Sequence, residues 1–138
     1  RSRGLGDVYK RQVCTTSTHD MNPLRAWWEE NRELSERFYR EVLGMEGDAP
    51  RTCEPWICRR IVDMHLRSPA MLAILPLQDW LATDAALRSP HADRERINIP
   101  AAPRYYWRYR MHLTLEELLR QEPFNATLRE MIIAGGRR

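Results

Sequence analysis

The stretch Val13-Cys14-Thr15-Thr16-Ser17-Thr18-His19-Asp20 decides how this chain is read. Its β-branched first half suits a half-buried strand. The strand ends in a polar tip, immediately before a helix start at Asn22-Pro23. In parallel α/β architectures helices cover both faces of the sheet, so reactive side chains are presented at the carboxyl ends of the strands. Asp20 is therefore a candidate for chemistry, with His19 beside it. From the residues alone a second reading stays open, in which Asp20 only caps or forms the turn.

Outward from that tip, Asn22 offers an N-cap oxygen and Pro23 suits the first helical position. Leu24, Trp27, Trp28, Leu34, Phe38 and Val42 recur at three- and four-residue steps, which predicts one helix running to Leu43 with Gly44 as its stop. The mixed charges from Glu29 to Glu41 read as its solvated face. The tryptophan pair suits core packing, or a platform for the apolar face of a sugar. After a loop over 44–52, Glu54-Pro55 opens a helix with Ile57, Ile61 and Met64 on one face, ended by Ser68-Pro69.

Met71 to Leu75 is an unbroken apolar run of strand length, the pattern of a parallel strand covered on both sides. If it pairs with the first strand, the helices between them are the crossover, and Gln78 and Asp79 leave it on the same rim as His19 and Asp20. Asp79 has a second reading as the cap of a helix near Trp80. The segment 88–104, with three prolines, reads as a loop, and Tyr105 to Met111 interleaves aromatics with Arg108 and Arg110, a pattern able to stack bases or sugars. Thr114-Leu115-Glu116-Glu117 is a capping box. Beyond Pro123, residues Phe124, Leu128, Met131 and Ile132 predict a last helix, with 135–138 as a frayed end.

Composition narrows the function classes. The 138 residues carry a net charge of +3, with 22 Lys and Arg against 19 Asp and Glu. Four of those bases and one acid lie in the first twelve residues, which leaves 18 of each in the remainder. The neutral body removes the electrostatic case for nucleic acid, whose phosphates demand a basic surplus. Residues 1–12 have no helical or strand period and resemble a translated sequencing adapter, so a non-native leader is expected there, with a disordered basic arm for an acidic partner as the second reading, and the fold is read over 13–138. Cys14, Cys53 and Cys58 match no zinc or redox spacing, and free thiols fit a reducing compartment, which makes the cytoplasm the expected location. No apolar run approaches the roughly 20 residues a membrane span needs.

Three further strings carry a resemblance together with Thr18-His19-Asp20: Pro76-Leu77-Gln78-Asp79-Trp80-Leu81, then Glu95-Arg96-Ile97-Asn98-Ile99-Pro100, then Tyr106-Trp107-Arg108-Tyr109-Arg110. In this order they resemble the 4-α-glucanotransferases, the amylomaltase or disproportionating-enzyme family. The resemblance implies a C-terminal fragment of a (β/α)8 TIM-type barrel, mostly helical with about two parallel strands, since a whole barrel takes about 250 residues. It implies transfer of α-1,4-glucan segments by retaining double displacement, with malto-oligosaccharides or starch and glycogen as substrates and no cofactor. Asp20 would be the transition-state stabiliser, and His19 and Asn98 would contact the substrate. The family's nucleophile and acid/base come from strands upstream of these motifs, so the fragment alone would be inactive and its partner would be the missing N-terminal part of the barrel. Where many family members follow the His-Asp pair with Asn, this chain has Met21. A metal site is not expected, because His65, His91 and His112 show no ligand spacing. The competing class is a small helical interaction domain binding protein or nucleic acid, with Asp20 as a cap.

Overall fold

The computed structural model describes residues 11–137, so the expected leader lies outside the described residues except for Arg11 and Gln12. The chain is mostly helical around one parallel strand pair, β1 (Val13–Cys14) and β2 (Leu72–Ala73), with Val13 opposite Leu72 and Cys14 opposite Ala73. The Leu72 N–H donates to the Gln12 carbonyl at 3.3 Å and the Ile74 N–H to that of Cys14 at 3.0 Å. The two strands are adjacent and parallel, as the sequence predicts, but each is shorter than its apolar run. β1 stops where the Thr15 hydroxyl turns onto the Ser17 carbonyl (2.7 Å), a local bond that competes with the ladder. The expected cover on both sides is not found: Leu72 and Ile74 face outward and are about half exposed, while Leu75 is buried and Ala73 packs inward.

The predicted helix from Pro23 to Leu43 is three pieces. α1 (Leu24–Glu30) ends at Asn31, whose backbone is extended and whose Oδ1 accepts the Leu34 N–H at 3.1 Å, capping α2 (Arg32–Arg37). A π-helical turn (Phe38–Val42) follows, closed by a bond from the Leu43 N–H to the Phe38 carbonyl. The break and the wider turn reset the helical phase, so Ser35, Tyr39 and Leu43 are buried and the predicted Leu34 and Val42 are exposed. Asn22 is not the cap either. It donates to Glu30 Oε2 at 2.8 Å, and Pro23 takes the N-cap position without a side-chain bond.

α3 (Pro55–Leu66) divides the core. Ile57, Cys58 and Ile61 pack with Leu24, Trp28, Tyr39 and Leu43, whereas Val62 and Leu66 meet Leu75, Met131 and Ile132. Met64, expected on the buried face, is exposed. Trp28 is fully buried and donates its indole N–H to the Pro50 carbonyl at 2.9 Å, so it is a core residue; Trp27 packs beside it. Burial of one such side chain contributes about 1.5–3 kcal/mol. α4 (Leu77–Leu81) follows β2, then a 3-10 turn (Ala92–Glu95), α5 (Leu115–Leu119) with the predicted capping box complete, and α6 (Glu122–Ala134). The chain end is not frayed as far as Arg137. Gly135 lies so close to Leu66 that a Cβ would stand 2.9 Å from the Leu66 Cβ, and the Arg137 guanidinium donates to the carbonyls of Leu66, Ser68 and Ala70. Among the described residues no helix is long and apolar enough to cross a membrane.

Asp79, inside α4 and 1% exposed, ties these parts together. Its Oδ1 accepts the Leu24 N–H at 2.9 Å and its Oδ2 accepts the Thr16 hydroxyl. It caps α1, across 55 residues of chain, and not its own helix. Burial raises its carboxyl above the ordinary value, against the pull of those two donors. Glu95 is the second buried carboxyl: Oε1 meets Arg25 Nη1 at 3.0 Å, both side chains are less than a tenth exposed, and burial pushes Glu95 up to about 7. Arg25 also donates to the Ser89 carbonyl at 2.7 Å.

Replacing Asp79 by Ala leaves a helix N-terminus and a hydroxyl without their acceptor, and urea denaturation is expected to register a loss of about 2–4 kcal/mol. Asp79→Asn, which keeps one acceptor oxygen, is expected to cost less. Both variants within about 0.5 kcal/mol of wild type would mean that Asp79 ties nothing. The raised Glu95 sets a pH dependence. A carboxyl whose folded pKa lies above its unfolded value gives stability that is complete below about 4.5 and is lost as pH rises through about 7. Stability is therefore expected to fall by roughly 3 kcal/mol across this window in wild type, seen as a falling thermal midpoint, and the slope is expected to flatten in Glu95→Gln. An unchanged slope in the variant would remove Glu95 as the cause.

Candidate active-site rim

The tip beyond β1 is shaped locally first. The Met21 N–H closes a turn onto the Thr18 carbonyl at 3.1 Å, and the Asp20 N–H reaches the Thr18 hydroxyl at 3.4 Å. This turn lifts His19 and Asp20 to the surface, where both side chains are about half exposed and His19 Nε2 stands 3.4 Å from Asp20 Oδ1. Thr16, three residues before His19, is held by the buried Asp79, so the base of the turn is fixed by a partly buried bond while its tip stays open.

The third residue singled out in the sequence comes to the same place. Asn98 Nδ2 donates to Asp20 Oδ1 at 2.6 Å and the Asn98 backbone N–H donates to the His19 carbonyl at 3.0 Å. His19, Asp20 and Asn98 thus form one cluster, closed across 78 residues of chain. Arg96 lies against it, donating to the Asp20 carbonyl, to Asn22 Oδ1 and to the Asn98 carbonyl. The Trp107 ring lies 5.0 Å from that of His19, tilted by 42°. Neither Arg96 nor Trp107 stood out as a site residue, although each belongs to a string the sequence singles out.

Gln78 and Asp79 leave β2 on this side, but both are buried, so they support the rim from behind instead of lining it. Gln78 Nε2 donates to the Glu95 carbonyl at 3.1 Å, which anchors the loop carrying Asn98. The Tyr109 hydroxyl is raised by burial and by the neighbouring Glu95 charge. Among the described residues no group of three or more His, Cys, Asp or Glu is placed to hold a metal ion. Chemically the cluster offers an exposed carboxylate, an imidazole and a carboxamide beside an aromatic ring, a set suited to accept and donate hydrogen bonds to vicinal hydroxyls and to cover an apolar ring face.

Comparison with known proteins points the same way. The family model described as 4-alpha-glucanotransferase matches residues 3–115. The chain is 42% identical over 125 residues to 4-alpha-glucanotransferase DPE2 of Oryza sativa subsp. japonica, covering 91% of this chain and 13% of the rice protein. It is 31% identical over 132 residues to a 4-alpha-glucanotransferase of Chlamydia pneumoniae, covering 95% of this chain and 24% of that protein. It is also 31% identical over 105 residues to the enzyme of the same name from Aquifex aeolicus, covering 76% and 19%. The chain therefore spans a quarter or less of the length of these relatives. The reading as a small helical interaction domain is not favoured by these matches. Since the family model covers most of the sequence, this chain belongs to the 4-alpha-glucanotransferase family.

Proposed function

We propose that the protein to which this chain belongs is a retaining 4-α-glucanotransferase, and that the chain forms the C-terminal part of its (β/α)8 barrel. Asp20 is the transition-state stabiliser, and His19 and Asn98 bind the same sugar. The observation that carries this reading is the bond from Asn98 Nδ2 to Asp20 Oδ1, which unites residues from two distant family-like strings at the carboxyl end of a parallel strand pair. The substrates are α-1,4-glucans and malto-oligosaccharides. Nucleic acid is not a partner in this reading, in keeping with the balanced charge of the body, and the free cysteines fit a reducing compartment such as the cytoplasm.

In this chemistry a carboxylate attacks the anomeric carbon while a carboxylic acid about 5–5.5 Å away protonates the departing oxygen, leaving a covalent glycosyl-enzyme. The hydroxyl of an acceptor glucan then loses its proton to the same acid/base residue and displaces the enzyme carboxylate with overall retention. Both of those carboxyls belong to upstream segments of the barrel. Asp20 neither attacks nor transfers a proton. It accepts a hydrogen bond from a ring hydroxyl beside the anomeric carbon, and that bond strengthens as the carbon becomes positive, so its effect falls mainly on the transition state.

Neighbouring barrel units would cover the half-exposed face formed by Val13, Met71, Leu72 and Ile74. Two outcomes are expected. In the full-length protein Asp20→Asn lowers kcat by about 10²- to 10³-fold, with less change in KM, while the 138-residue chain by itself transfers no glucose units between malto-oligosaccharides. Wild-type kcat in Asp20→Asn, or robust transfer by the short chain, would sink the assignment. The isolated chain is also expected to bind an apolar dye such as ANS and to self-associate, both reduced by Leu72→Lys with Ile74→Lys. A monomeric, dye-dark chain would show that this face needs no cover.

A further inference from the structure

We infer that Arg96 is the positioning residue of the rim, its guanidinium locking the turn that carries Asp20 to the loop that carries Asn98. The inference rests on the reading of Asp20 and Asn98 as sugar-binding groups and adds what orients them. Arg96 Nε donates to the Asn98 carbonyl at 2.9 Å, Nη1 to Asn22 Oδ1 at 2.9 Å, and Nη2 to the Asp20 carbonyl at 3.2 Å. Three donors of one planar fork thus meet three oxygens on the two segments, an arrangement that a single ammonium on a flexible stem does not reproduce. The loop is fixed on the other side of Arg96 as well. Glu95, the preceding residue, turns inward to Arg25, and its carbonyl accepts from Gln78. Arg96, whose backbone turns extended (φ −69°, ψ 133°) where the 3-10 turn ends, therefore sits between a buried anchor, the Glu95–Arg25 pair, and the exposed cluster that its own guanidinium meets.

The consequence is an orientation of the Asp20 carboxylate. With Arg96 holding both backbones, the Asn98 carboxamide is committed to Asp20 Oδ1 at 2.6 Å. Among the described residues no hydrogen bond reaches Asp20 Oδ2, which is then the acceptor for a sugar hydroxyl. Releasing the clamp would let turn and loop drift apart and rotate the carboxylate. Because Asp20 acts on the transition state, the loss falls on kcat more than on KM.

The test uses the full-length protein with Arg96→Gln, Arg96→Lys and Arg96→Ala, read in two ways. In malto-oligosaccharide transfer, kcat is expected to fall about 10- to 100-fold in all three, the scale of a displacement near 1 Å. KM should move much less, and millimolar guanidinium ion should restore part of the loss in Arg96→Ala where ammonium does not. In hydrogen exchange, which needs no activity, the amides of 95–98 and 18–22 are expected to exchange at least about tenfold faster in Arg96→Gln, with α3 unchanged as the control for folding. Wild-type kcat in folded Arg96→Gln, full recovery by Arg96→Lys, or unchanged protection of both segments would each overturn the positioning role. An inactive wild-type protein would instead sink the transferase reading, and the exchange data would still decide whether Arg96 clamps the rim.

Discussion

The Asp79 carboxylate joins the three segments on which the rim depends: the stretch leaving β1 through Thr16, the start of α1 through the Leu24 N–H, and α4 in which it resides. A carboxylate that is 1% exposed is costly unless its oxygens are satisfied, and here each oxygen has a donor. Because those donors come from separate parts of the chain, the cost of burial becomes a constraint on geometry. β1 and β2 have only two residues each, too few to fix the direction of the polypeptide beyond them. The cap from the buried Asp79 does that instead.

A second buried carboxyl, Glu95, does for the 92–98 loop what Asp79 does for the turn. The Arg25–Glu95 pair is almost fully buried, and among the described residues Glu95 Oε2 and Arg25 Nε have no hydrogen-bond partner. Such a pair is weak evidence for stability, since desolvation opposes the attraction. What it supplies here is register. With Glu95 pinned inward at the end of the 3-10 turn, Arg96 reaches the Asp20 carbonyl and Asn98 follows onto Asp20 Oδ1. The exposed, chemically useful groups are thus few, and the buried polar groups behind them are what make their placement reproducible.

Much of this was legible beforehand. The parallel pairing of two short strands, the helical crossover and the capping box at Thr114 follow from patterns in the sequence, and the resemblance to a family singles out His19, Asp20 and Asn98, which the fold brings together. The failures have physical causes. Asn31 ends a helix that the apolar spacing carries straight through, because an Asn side chain able to cap a new start outweighs continuation. The π-helical turn then shifts which residues face inward, so Tyr39 replaces the predicted Val42. The apparently frayed end is held because Arg137 finds carbonyls left free where α3 ends and β2 begins.

By itself the sequence determined the parallel strand pairing, most of the helical segments, the balanced charge of the body and which short strings resemble a family, since these depend on local periodicity and on residue identity. Only the tertiary structure decided that Asp79 caps a helix other than its own, that Gln78 and Glu95 stand behind the rim, and that Arg96 bridges the turn and the loop. Those roles depend on which donors and acceptors remain unpaired after packing brings distant segments together. Spacing along the chain does not encode that.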